Sequence, residues 1–537
     1  MADDHPEKKE ARERRALKWV FALEYVMQGL ANPFQGITYH PFFRHFRFHY
    51  KLSQAATQKM FAHSYLAWSF KPLLGFFIDA YGRTRVILTV LLSLAIGFYL
   101  MTPVADVSAW AFFSFMFVLS VVLACTDVAV DRATVVAGEQ EAAESGRSKA
   151  TTVGLNQAIC WAAIYGTSII ASASGGYVAE NWNFDLLMMG LALVPAILLG
   201  FVLRLPKDRA VPIPLRKSVG GFWAGLNTGP VLWVIAFYFL FHFQPALGAL
   251  WTSHLVETLG YSQTHVGYGD AARSLGMVVG VALFARLGVR LQERHGLRTM
   301  FRIYIPIAMA LSFTAYLLVD PWFSKGVALL HGLTPDSDLE SVRLWYLAGL
   351  SATQAVVGAV IQMSTFSLVG AIIPAKAAGS LFAGFMSVAN LAYSLSYTSG
   401  AWLFEHGLGW APMREVQESV FGIDAQVGAP MSISMLVLLG SVAHLLSFLA
   451  VHKLPDRDQT LHAEQLQQLG PERWQALGQR VLDAVNTASA MAALILFVAL
   501  TWGIDQSFVS ALLFSFFVVT FGRKVLLDIL LSRASRL

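Results

Sequence analysis

The chain is poor in charge. Only 14% of its 537 residues are Asp, Glu, Lys or Arg, whereas soluble domains carry roughly 25%. Hydrophobic residues make up 56%. That is more apolar surface than a water-soluble core absorbs, so the expected solvent is lipid. Cysteine is nearly absent. Cys125 and Cys160 both fall in apolar runs, which argues against a disulfide framework. Residues 1–18 are polar and basic, without the apolar core or cleavage site of a removable leader. No Gly-rich phosphate loop ending in Gly-Lys-Ser/Thr occurs, so no ATP drive is encoded here. No Cys/His cluster has metal-ligand spacing, and no nucleophile–base constellation stands out. Neither a metal, a cofactor nor an enzymatic activity is expected. The basic excess is small, +5, and does not point to nucleic acid.

What the sequence does have is apolar runs. A helix needs about twenty apolar residues to cross the hydrocarbon. Such runs begin near residues 19, 59, 86, 108, 150, 184, 228, 264, 300, 344, 380 and 430, and a further pair near 484 and 508. The expectation is an all-α membrane protein of about fourteen spans. It divides into a cytoplasmic tail (1–18), a six-helix bundle (19–203), a basic linker (204–220), a second six-helix bundle (221–453), a cytoplasmic amphipathic connector (454–483) and a terminal helical pair (484–537).

The basic residues orient it. If the N-terminus is cytoplasmic, the same-side loops hold Arg83 and Arg85, Arg147 and Lys149, Arg204 to Lys217, and Arg290 to Arg302. The opposite loops near 104–108, 176–183 and 253–263 hold no Lys or Arg. This asymmetry places both termini on the cytoplasmic side, which for a bacterial-type cell means the inner membrane. One loop disagrees: residues 39–58 carry Arg44, Arg47 and Lys51 on the predicted outside.

Residues 75–85 read Gly-x-x-x-Asp-x-x-Gly-Arg-x-Arg. The pattern resembles the short cytoplasmic signature of major facilitator transporters. Further stretches are Tyr25-Val26-Met27-Gln28-Gly29, Trp68-Ser69-Phe70-Lys71-Pro72, Thr126-Asp127-Val128-Ala129-Val130-Asp131, Asn156-Gln157-Ala158-Ile159-Cys160-Trp161 and Ala383-Gly384-Phe385-Met386-Ser387-Val388-Ala389-Asn390. Together they resemble the folate–biopterin transporter family of the major facilitator superfamily, over about residues 20–450. A weaker resemblance is to muropeptide permeases, which also carry two additional helices. The first implies two six-helix halves around a central site and a pterin-like anionic solute.

Polar groups inside the apolar runs are candidate site residues, because a charge at such depth costs at least about 2.5–3.5 kcal/mol. With 1.5 Å of rise per residue, Lys71 stands roughly 12 Å from the cytoplasmic boundary, and Gln28 and Asn390 roughly 15 Å in. His242 and Gln244 precede Pro245, which should kink its helix. Lys71 and Arg273 are expected to form a cationic pair for a substrate carboxylate, with Gln28, Trp161, His242, Gln244 and Asn390 completing the binding set. His242 is either a proton site or a packing residue. Lys71 alternatively pairs with Glu24 or an aspartate. Asp127 and Asp131 share a helix face, and their depth estimate places them at the cytoplasmic edge. With Asp79, Glu24, Arg83 and Arg132 they form the expected gating and coupling set.

The function expected is a proton-coupled secondary transporter of a small anionic organic solute, working by alternating access. The alternatives are a muropeptide-type permease, or a non-transporting assembly factor that docks through its last two helices.

Overall fold

A computed structural model describes residues 6–145, 149–205, 215, 229–245, 247–372 and 378–454. The expected connector and terminal pair lie outside these residues, as does most of the 204–220 linker. The described residues are helical, with no strand among them. The first set of helices comprises α1 (Pro6–Ala31), the short α2 (Tyr39–Arg44), α3 (Gln54–Ser69), α4 (Lys71–Tyr81), α5 (Thr84–Ala105), α6 (Ala109–Ser145), α7 (Lys149–Asn181), α8 (Phe184–Leu191) and α9 (Leu193–Val202). The second set begins with α10 (Gly229–His242), α11 (Gly248–Ser253), α12 (Gln263–Leu283), α13 (Val289–His295) and α14 (Leu297–Phe313). It continues with α15 (Trp322–Leu333), α16 (Leu339–Ile372), α17 (Ala378–His406), α18 (Ala411–Phe421) and α19 (Ile433–Ala443).

Among the described residues, seven helical stretches are long and apolar enough to cross a membrane: residues 84–105, 109–134, 184–202, 263–292, 297–318, 339–366 and 433–451. Other expected spans are helical but interrupted or polar. The run near 59 breaks at Phe70, so that Lys71 and Pro72 open α4; proline is tolerated there because the first turn has no donor to lose. The run near 228 stops at His242 and resumes at Gly248. Pro245 therefore ends one helix where a kink was expected.

Two helices outrun their apolar cores. α1 starts at Pro6, thirteen residues before the expected span, because residues 7–18 are mostly Ala, Glu, Lys and Arg, all good helix formers. α6 continues past Asp131 to Ser145 through a run rich in Ala and Glu. Lys18 pairs with Glu141 at 2.9 Å and ties the two extensions together. At the signature turn, Gly82 adopts φ 68° and caps α4, a conformation that favours glycine.

The largest apolar core gathers residues 20–205, with Tyr99, Phe42, Phe46 and Phe112 fully buried, and takes in Ala249 alone from the second set. A separate core gathers residues 234–454 around Phe237, Phe301 and Phe385. The sets meet along α7 and α12 and along α3 and α17. Backbones nearly touch where α7 crosses α12. A Cβ on Gly176 would strike the Gln263 carbonyl, and one on Gly267 would come within 2.6 Å of the Ser172 carbonyl. Small residues permit the close approach that membrane helices use for packing.

Candidate functional site

Helices α1, α4 and α6 bring a polar cluster together inside the first set. Lys71, at the start of α4, bonds to Asp127 on α6. The two are 6% and 1% exposed. Gln28 on α1 donates from Nε2 to Asp127 Oδ1 at 2.6 Å and to Glu24 Oε1 at 2.6 Å, so one amide bridges two carboxyl groups. Thr126 also donates to Glu24, at 3.2 Å. Tyr25 donates to Asp131 Oδ1 at 3.0 Å. The Lys71 ammonium lies 4.9 Å from the centre of the Trp68 ring, within cation–π range.

This arrangement corrects the depth estimate for Asp127. It sits midway along a helix that runs on to Ser145, level with Lys71 and Gln28, and not at an edge. Its partners are Lys71 and Gln28 in place of Arg83 or Arg132 of the expected gating set. Arg83 is exposed. Arg85 donates to the Leu203 carbonyl at 2.7 Å. Arg132 is half-buried, next to Asp131 in the chain. Asp79 lies in α4, and its side chain is outside the described ones.

The remaining expected residues lie on α7, on α12, on α17 and at the end of α10. Trp161 on α7 packs its ring 6.2 Å from Tyr25 and 4.9 Å from Phe366 of α16. His242 is buried, and its Nδ1 lies 2.7 Å from the Tyr238 carbonyl. A carbonyl only accepts, so Nδ1 carries the proton. Tyr393 stands 5.5 Å from His242 and 5.7 Å from Tyr65. The Gln244 backbone N–H donates to Ser396 Oγ at 2.9 Å, which satisfies a donor freed by the helix break. Arg273, exposed on α12, is within electrostatic reach of Tyr39 and Tyr393. Among the described residues it has no ion-pair partner. Asn390 is half-buried on α17 and hydrogen-bonds to no other described residue, while Ser387 on the same helix reaches the Trp68 carbonyl at 3.4 Å. Lys71 and Arg273 therefore do not share one partner: the first is matched by a carboxylate and the second faces tyrosines.

At the end carrying the turns 32–38 and 254–262, the sets are joined by polar contacts absent from the sequence reading. Arg47 grips Glu257 with two bonds of 2.8 Å, and Gln54 adds a third at 3.1 Å. Lys59 pairs with Glu405 at 2.8 Å. Tyr39 meets Thr252 at 2.9 Å, and His40 meets Gln263 at 3.1 Å and Asp270 at 3.3 Å. Glu180 accepts from the backbone of Gln263 and Thr264 at 2.8 and 3.3 Å, a carboxylate at the N-terminus of α12. The Gln58 side chain accepts from Leu250 N–H at 3.2 Å. This end is closed. Also near it, His45, His49 and Asp106 place donor atoms within 4.8 Å of one another. The sequence reading missed this group because Asp106 is remote in the chain from the two histidines.

Several solved transporters share this fold. The nucleoside transporter NupG matches with a TM-score of 0.51 at 15% identity, over 82% of this chain and 98% of that one. A D-xylose–proton symporter matches with 0.53 at 12% identity, over 83% and 99%. An auto-inhibited POT family peptide transporter matches with 0.55 at 12% identity, over 84% and 99%. At such identities the likeness is one of fold. Among curated protein sequences none matches. A family model described as the BT1 family matches residues 28–468, most of the chain. The chain thus belongs to the BT1 family, the folate–biopterin transporters of major-facilitator type, and is a multi-pass membrane transporter.

Proposed function

We propose that this transporter moves a small anionic organic solute of the folate or pterin class, coupled to protons, by alternating access between two six-helix halves. The proposal sets it in the cytoplasmic membrane with both termini inside. One observation carries the solute reading. Arg273 is an exposed cation without an acidic partner among the described residues, inside an apolar helical stretch and within electrostatic reach of Tyr39 of the first set and Tyr393 of the second. A cation kept within an apolar span without a carboxylate to match it is suited to an anion that comes and goes, and the tyrosine rings offer faces and hydroxyls for a flat heterocycle. Gln28, Trp161, His242, Gln244 and Asn390 are assigned to the walls of the same path.

Coupling is assigned to the Lys71 cluster. Glu24, Asp127 and Asp131 bring three carboxyl groups around the Lys71 ammonium. Buried charges of like sign so close are costly, so proton uptake there relieves the cluster. Gln28 joins Glu24 to Asp127 and makes the two answer together. Asp79, Arg83 and Arg132 are assigned to the gate at the basic-loop end. The polar contacts that join the two sets at the opposite end are assigned to the outer gate.

Ligand-dependent melting of the purified protein tests the solute reading, since a ligand that binds only the folded state stabilises it by mass action. Folate should raise the melting temperature. Arg273→Ala should weaken folate by about 1.5–3 kcal/mol, the worth of a charge-assisted hydrogen bond, or roughly ten- to 150-fold. An uncharged pterin should bind both proteins alike. Folate binding unchanged by Arg273→Ala contradicts the role of Arg273, and no response to any pterin contradicts the solute class.

A further inference from the structure

The His45, His49 and Asp106 group lies away from the proposed transport path, at the closed end. His45 Nε2 is 2.9 Å from Asp106 Oδ1. The His49 ring stacks on His45 with centroids 4.5 Å apart and planes at 11°. Phe184 covers the other face of His45, at 4.2 Å and 5°. Tyr50 donates to the same Asp106 oxygen and fixes the carboxylate. The two histidines bracket the five-residue π-helical turn His45–His49, and Asp106 caps α5. A cavity of about 170 Å³ opens beside them, bordered by Arg44, His45, His49, Trp182 and Phe184.

We propose that His45, His49 and Asp106 form a binding site for a divalent transition-metal ion of the zinc class. Two imidazoles and one carboxylate are the donor set such ions prefer, and the cavity leaves a fourth position for water. The three donor atoms lie within 4.8 Å of one another. A tetrahedral ion with bonds of about 2.1 Å draws its ligands to about 3.4 Å apart. His49 is exposed and can turn by that amount, while His45 and Asp106 are already seated. The orienting bond from Tyr50 is the kind of outer-shell support that ligating carboxylates receive. The charges facing the site are mixed. Exposed Arg44 opposes a cation. Asp185, within electrostatic reach of His45 and with a buried Oδ1 that bonds to no described residue, favours one together with Asp106. Binding displaces the proton shared between His45 and Asp106 to solvent. The ion would fix the turn that carries Arg47, whose grip on Glu257 holds the two sets together.

The test uses the full chain, freed of any histidine tag and stripped with EDTA. It is titrated at neutral pH with ZnCl2 by calorimetry and with CoCl2 by visible absorption, with MgCl2 as control. The expected result is one saturable zinc site, intense four-coordinate cobalt bands, and no response to magnesium. His49→Ala removes an exposed side chain and should abolish binding without changing the metal-free melting temperature. Tyr50→Phe should weaken zinc by about ten- to a hundredfold, as loss of an outer-shell partner does. His406→Ala, at an exposed histidine of the second set, should bind as wild type does. Absence of a saturable zinc site in the wild type, or wild-type affinity in His49→Ala, overturns the proposal.

Discussion

Replacing Lys71 by Met should destabilise the folded protein by about 3–5 kcal/mol, because it strands a carboxylate in a buried site. The scale follows from the geometry. Asp127 is 1% exposed, so water does not replace the lost ammonium. Gln28 stays on Asp127 at 2.6 Å, but the same amide also serves Glu24 and donates no more than it already does. The stranded group has one way out, which is to take up a proton. At pH 7 that costs a carboxylic acid of ordinary acidity about 4 kcal/mol, at 1.36 kcal/mol per pH unit. Both routes give the same range. The readout is a double-mutant cycle on melting in detergent. Lys71→Met combined with Asp127→Leu should regain most of the loss, since a buried ion pair replaced by apolar residues is close to neutral. Lys71→Met with Glu24→Gln should not. A stable Lys71→Met protein, or equal rescue by Glu24→Gln, refutes the pairing of Lys71 with Asp127.

Glu24→Gln keeps an acceptor for Gln28 and should leave folate affinity near wild type while removing the pH dependence of transport; a retained pH dependence counts against Glu24 as a coupling group. Gly176→Val should push α7 away from α12, so that a disulfide formed between Glu180→Cys and Thr264→Cys is lost; efficient cross-linking in the Gly176→Val background contradicts the close approach. Glu257→Gln removes half of an ion pair whose side chains are 23% and 24% exposed, worth at most about 1 kcal/mol. It should raise the labelling rate of a Gln58→Cys reporter up to about fivefold, and less at high salt; no change at low salt contradicts a role in closure.

The helices were legible because apolar runs of membrane length leave few alternatives, and a helix occurs near each expected start from 19 to 430. Their ends were less so. Apolarity stops at Asp131, but Ala and Glu carry α6 on to Ser145. What sets Asp127 level with Lys71 is the bond between them, which joins two helices and leaves no trace in either one's run of apolar residues. The polarity of Lys71, Gln28, Glu24 and Asp127 was visible, but their pairing was not, because Lys71 had three carboxylates to choose from. One cation of the basic stretch 39–58, the exception to the charge asymmetry, finds its reason in Glu257: Arg47 is neutralised by a partner 210 residues away. Such a contact leaves no local pattern. The break at Pro245 was legible as a disturbance, and its form depended on Ser396 of another helix accepting the freed N–H.

Uptake of folate into proteoliposomes holding the purified protein tests the central claim most directly. With an imposed proton gradient, the account predicts accumulation above equilibrium, its collapse by a protonophore, and its absence in Arg273→Ala. Uptake no greater than in empty liposomes, or uptake indifferent both to the gradient and to Arg273, would contradict it.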